Sequence, residues 1–453
     1  MHIYINPSQS VPLPWLAPAA LRPENKHTTR TTMALAAYRE TLQRIDKTSK
    51  IASVVSVLEA LAHKHTVEPD EITPDEKDRS LTLKDMRGKA SILDELRWDL
   101  LPSLQDHLIL LLESLDLVDP KPKPHPDIDS TKEILSNLDN ILESTVSSIV
   151  SITLKSPLPH EDHDHGLEDW KIFRFSLLGK KIMDLVEDII YDDLFGSVKS
   201  FIQWCTVAYI FVENSEILKE GSDLRDVILI VTASAQDSID TTMDWFEKSD
   251  WAIVQEAWLE ASESFDDVVE MLTSRANPST EEEEEKSEAD NDESKAKNEL
   301  IAEVAKSAVP LAKLGRILIK KTSETISKKQ LSAVGTLELN SATMRQLYET
   351  PQSILGPLEH LSNLLNIFYR SPRAIRVADQ ARIRKSVDNL PKDLQSTLSV
   401  LDSCLIPFLP RIEDGSPETH LSSFFPTLKQ AWDKASDSLM DVIFSFEVER
   451  IVI

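Results

Sequence analysis

The stretch PHEDHDHGLEDW, Pro159 to Trp170, is the densest group of metal-ligand side chains in the sequence, with His160, Asp162, His163, Asp164 and His165 close together. Imidazole and carboxylate donors of this kind hold zinc and other divalent ions, but only when three or four converge from a fixed scaffold. Adjacent side chains on a loop catch a metal weakly at best. The spacing is not that of a helical HExxH site, because histidines follow His160 at three and five residues, not four. The stretch lies between KSPLP and a helix expected from near Leu167, and it reads as a flexible, solvated acidic connector. Glu168 and Asp169 fall in the first turn of that helix, where negative charge is favourable. A connector that caps a helix is therefore expected, with neither metal nor cofactor.

Other catalytic signatures are missing. The sequence has no GxGxxG, no Walker A loop and no GxSxG elbow. Two basic clusters stand out instead. In VPLAKLGRILIKKTSETISKK, Lys313, Arg316 and Lys320 share a helix face, Lys321 adds charge, and Leu311, Leu314 and Leu318 form an apolar stripe roughly opposite. In RSPRAIRVADQARIRKS, Arg370, Arg373, Arg376, Arg382, Arg384 and Lys385 accompany one acid, Asp379. Each cluster is either an ordinary solvated face or a balance for the acidic half of the chain, or else a dock for an acidic partner, anionic lipid or nucleic acid. Arginine favours planar, bidentate contacts with carboxylate or phosphate. No aromatic residues interleave with either cluster, which argues against single-stranded nucleic acid.

The elements that must position these residues are helices. Only 9 of 453 residues are glycine, so tight turns and hairpins are scarce and an all-α architecture is expected. Ile134, Leu138, Ile141, Leu142, Thr145 and Ile149 recur at helical steps, as do Trp251, Val254, Trp258, Phe265, Val268 and Leu272. Helices are expected over 33–64, 88–117, 128–155, 167–192, 194–218, 222–247, 250–275, 297–329, 340–370, 373–406 and 422–447. Ser249 or Asp250 is placed to cap one of them. Pro102, Pro351, Pro357 and Pro391 are expected to kink or break theirs. The tryptophans read as core, and Cys205 and Cys404 as buried thiols in a reducing compartment.

Charge divides the chain. Residues 277–296 hold nine acids against two lysines and read as a disordered, self-repelling linker. Residues 1–296 carry 29 Lys/Arg and 58 Asp/Glu, whereas 297–453 carry 20 and 18. The expected organisation is a disordered N-terminal segment (1–32), an acidic helical bundle (33–275), the acidic linker (276–296) and a second bundle with basic patches (297–449). The net charge of −27 excludes a general nucleic-acid binder, because phosphate affinity depends on Lys/Arg releasing counterions. The N-terminus is a poor signal peptide and apolar runs reach only about ten residues, short of a membrane span of about 20. A cytoplasmic or nuclear location is expected.

The order of an acidic linker, AKSAVPLAKLGRILIKKTSETISKK, ILGPLEHLSNLLNIFYRSP and LDSCLIPFLPRI resembles the cyclin-D-binding protein family, the cyclin-D-interacting, helix-loop-helix-like proteins. The resemblance covers residues 297–410 directly. It implies two antiparallel helical bundles in a vinculin-like arrangement, no catalysis, and binding to cyclins or helix-loop-helix factors. It transfers no residue-level motif. The function expected is that of a regulatory interaction protein, with a membrane- or cytoskeleton-associated adaptor as the alternative and an enzyme of unrecognised type as the third reading.

Overall fold

Amphipathic helices must each bury one stripe, and here they do so in two packed sets. The computed structural model describes residues 48–62, 75–121, 124–208, 215–277, 292–332, 339–371, 375–408 and 421–448, with 39, 46, 64 and 373. Residues 1–32, Trp15 and most of the acidic run lie outside them, so the expectations made there stay as they stand. The chain is all-α, as expected. The first set holds α1 (48–61), α2 (Arg87–Glu95), α3 (Leu101–Ser114), α4 (Ile128–Thr153), α5 (Ile172–Asp184), α6 (Gly196–Ala208) and α7 (Ser215–Trp245). The second holds α8 (Asp250–Ala276), α9 (Asp292–Ser332), α10 (Ser341–Arg370), α11 (Val377–Val387), α12 (Leu390–Val400) and α13 (Leu421–Val448).

Among the described residues three stretches widen to π-helix. Leu96–Leu100 joins α2 to α3, Leu185–Phe195 joins α5 to α6, and Leu401–Leu405 extends α12. The helices expected at 167–192 and 194–218 are thus one continuous rod from Ile172 to Ala208. Pro102 sits just past the first π turn and does not end the rod. Pro351 and Pro357 were expected to break their helix, yet α10 runs through both. A proline costs a ladder bond and a clash of about 3 kcal/mol, which the thirteen buried residues of α10 outweigh. Pro391 behaves as expected: α11 ends at Val387, and α12 restarts with the proline in its first turn.

Helix α8 packs most extensively on α9 and next on α10. Sequence alone groups 250–275 with the helices before it, but packing places it with those after the acidic run. The cause is a small-residue stripe on α9. Ala305, Ala308, Ala312 and Gly315 are all buried and recur at three- and four-residue steps, so the backbones approach closely. A Cβ on Gly315 would come within 2.7 Å of the Phe265 ring of α8. Trp258 of α8 is fully buried and donates its indole N–H to the Leu347 carbonyl of α10 at 2.9 Å. On the other flank α9 packs on α13, whose buried Trp432 donates to Leu390 O at 3.1 Å.

In the first set, α3 lies on α4 and α7, α4 on α5, and α6 on α7. Gly221 of α7 faces the Trp204 ring, which any Cβ there would overlap. Contacts between α5 and α10 join the sets, and one apolar core runs across both. Both cysteines are buried, as expected. Among the tryptophans, 204, 245, 258 and 432 are core, but Trp98 is 63% exposed and departs from that expectation.

Candidate interaction surfaces and the central connector

The His/Asp stretch is anchored, which corrects the flexible, solvated loop expected from sequence. Leu158 and Pro159 pair in parallel with Lys77 and Asp78, and both are buried. Glu161 accepts from Lys77 Nζ at 2.8 Å and from Arg345 at 3.3 Å, and these partners, Lys77 first, hold its carboxyl below the usual range. Asp164 is fully buried. It accepts from the backbone N–H of Ser341 at 2.8 Å, from that of Ile172 at 3.1 Å, and from the Ser341 hydroxyl. Burial pushes its carboxyl above the usual range, against the pull of those donors.

The connector does cap a helix, but through Asp164 and not through Glu168 and Asp169. Those two form a short 3₁₀ turn ahead of α5. His163 and His165 are exposed and Asp164 points to backbone donors, while His160 lies beside His163 (ring centroids 5.4 Å apart) and Asp162 (3.7 Å). Among the described residues no group of three or more His, Cys, Asp or Glu is placed to hold a metal ion.

The basic residues fall on two separate surfaces. On α9, Lys313, Lys320 and Lys321 are exposed; Arg316 is half-buried and pairs with Asp266 of α8 at 2.7 Å. Lys321 lies 4.9 Å from the Phe424 ring of α13. In the second cluster Arg370, Arg376, Arg382 and Lys385 are exposed. Arg373 bonds Asp379 at 3.3 Å, and the same carboxylate takes the Arg376 N–H at the start of α11. Arg384 packs over the Phe444 ring of α13 and faces Asp388 at 3.6 Å.

Lys297, near the start of α9, donates to Ser371 O at 2.7 Å, so the second cluster lies beside that end of the helix. Lys313 and Lys320 are then about 24 to 35 Å further along it. The two clusters read from the sequence therefore lie on separate parts of the second helix set.

Two features escaped sequence reasoning. Lys89 is 3% exposed and donates to the carbonyls of Ile152 (2.8 Å), in the last turn of α4, and Lys155 (2.7 Å), just past it. Burial lowers its pKa to about 8. The second is a cleft of about 170 Å³ between α2, the π turn after it, the connector and the end of α7. Its polar groups are Asp94, Arg97, Asp169 and Arg174, and its walls include Trp170, Phe175, Trp245 and Phe246.

Residues 89–247 match a family model described as a domain of unknown function (DUF8723), and residues 249–441 match another, also a domain of unknown function (DUF8721). The two matches meet at the turn between α7 and α8. Packing divides the helices at the same turn, since α8 turns to α9 and α10. No curated protein matches the chain. Among the described residues no helix is long and apolar enough to cross a membrane.

Proposed function

We propose that this chain is a non-enzymatic interaction protein whose helix α9 docks an acidic, amphipathic partner helix. The observation that carries this is the outer face of α9. Lys306, Pro310, Lys313, Ile317 and Lys320 follow one another at alternating steps of four and three residues, and all are exposed. Ile317, 42% exposed, sits between Lys313 and Lys320. An apolar anchor flanked by like charge suits a helix with leucines on one edge and acids beside them. Cyclins and helix-loop-helix factors, the partner classes implied by the family resemblance, are the first to try, in a cytoplasmic or nuclear setting.

The test is affinity capture of the full chain from extract at low and high salt, followed by kinetics on the recovered protein. Lys313→Glu with Lys320→Glu is expected to slow association, most strongly at low salt. Arg316→Glu, whose charge already faces Asp266, is expected to act less. Association unaffected by the double variant would sink the proposal. Sedimentation with anionic vesicles checks the adaptor alternative, which requires binding that disappears in Arg376→Glu with Arg382→Glu.

A further inference from the structure

The cleft at the end of α7 belongs to neither basic surface. Its volume of about 170 Å³ is close to that of an engineered cavity, about 150 Å³, that takes one benzene ring. Four aromatic side chains contribute to its walls, two on the connector and α5 (Trp170, Phe175) and two at the end of α7 (Trp245, Phe246).

Arg174 is committed to the protein. It is 4% exposed, donates to Lys248 O at 2.7 Å and to Asp250 at 3.2 Å, and lies over the Trp245 ring at 4.8 Å. Two other donors are not so committed. Trp245 is 2% exposed, and its indole N–H has no acceptor. That nitrogen is closed off from solvent, so what Trp245 offers the cleft is its apolar ring surface.

Arg97 stands in the π turn Leu96–Leu100, and π turns inside helices concentrate at functional sites. Its guanidinium stacks on the exposed Trp98 at 4.3 Å and approaches Phe246 at 5.7 Å. Its ion-pair partner, Glu247, has a side chain 70% exposed. Such a surface pair is weak and exchangeable.

We propose that this cleft binds a small aromatic carboxylate. The ring lies among Trp170, Trp245 and Phe246, and Arg97 takes the carboxylate in place of Glu247. Asp94 and Asp169, both exposed and both lining the cleft, limit the ligand to a single negative charge and disfavour phosphates.

Calorimetric titration of the full chain with benzoate and indole-2-carboxylate tests this, with indole and cyclohexanecarboxylate as comparisons. Saturable one-site binding of the aromatic acids is expected, tighter than either comparison. Arg97→Gln is expected to weaken the acids about tenfold or more while leaving indole unchanged. Ala90→Leu, which narrows the cleft without touching its polar groups, is expected to abolish both. Absence of saturable binding at millimolar acid, equal affinity for cyclohexanecarboxylate, or variants that bind like the parent would each overturn the proposal.

Discussion

Asp164 holds Ser341, a residue 177 positions further along the chain: its carboxylate takes the Ser341 backbone N–H at 2.8 Å and the Ser341 hydroxyl as well. The same carboxylate takes the Ile172 N–H. One side chain in the connector therefore closes the N-terminal ends of α5 and α10, which belong to the two different helix sets. Asn340 adds to the junction, donating its side-chain amide to Asp162 O at 3.1 Å.

Removing this latch is expected to destabilise the whole protein. Asp164→Ala leaves three donors without their acceptor, at roughly 3 kcal/mol in total. Asp164→Asn keeps one acceptor oxygen but, because Asp164 accepts through both of its oxygens, turns an NH2 toward a backbone N–H, so it is expected to recover only part of that loss. Urea unfolding of both variants checks the order; equal losses would mean that the charge, not the acceptor, matters.

Lys89 supplies a pH dependence with a defined sign. Its folded pKa is about 8, below the ordinary lysine value of about 10.4. Between the two values the unfolded chain binds more protons than the folded one, so this group makes stability rise with pH from about 8 to about 10.4. Below about 8 the lysine is charged in both states and its contribution is flat at its least favourable level. In Lys89→Met the rise is expected to be smaller than in the parent, measured by chemical denaturation at pH 7.5, 9 and 10. Parallel pH curves would show that the lysine does not carry it.

Three glycines separate close packing from open space. Gly315→Ala meets the Phe265 ring and Gly221→Ala meets the Trp204 ring, and each is expected to cost about 1–3 kcal/mol by overpacking. Gly88, in α2, has nothing within 4 Å of an added Cβ. Gly88→Ala is expected to gain about 0.5–1 kcal/mol from helix propensity and a less disordered unfolded chain. Thermal melts of the three variants check this, and a stabilised Gly315→Ala would refute the close approach of α8 and α9.

The charge changes on α9 are expected to leave the fold intact. Arg316 and Asp266 have side chains 42% and 60% exposed, so losing their pair costs at most about 1 kcal/mol. Lys313 and Lys320 are exposed, and their replacement by Glu is expected to shift the melting transition little. Circular dichroism melts of the binding variants establish this, so that a loss of association is read as a surface effect.

Much of the fold was legible because helical period shows directly which face of a segment is buried. Ser249 caps α8 through Ala252 N at 3.2 Å, as its residue type and place suggest. The small-residue stripe Ala305–Ala308–Ala312–Gly315 was equally present in the sequence and marks the close partner of α9, though it does not say which helix that is. The cleft was not legible. Its aromatic and charged residues come from positions 90 to 97, 169 to 178 and 245 to 246, and nothing in their local spacing ties them together.

By itself the sequence determined most of the secondary structure. Scarce glycine, apolar steps of three and four, and Pro391 at a helix start are local properties, and local energetics settle them. Tertiary structure decided what each stripe faces. It carried α10 through Pro351 and Pro357 because burial outweighs two lost ladder bonds. It moved α8 across the charge boundary because the α9 backbone offers it a close fit at Gly315. It also turned Asp164 inward, because a helix N-terminus 177 residues away supplied the donors that a buried carboxylate requires.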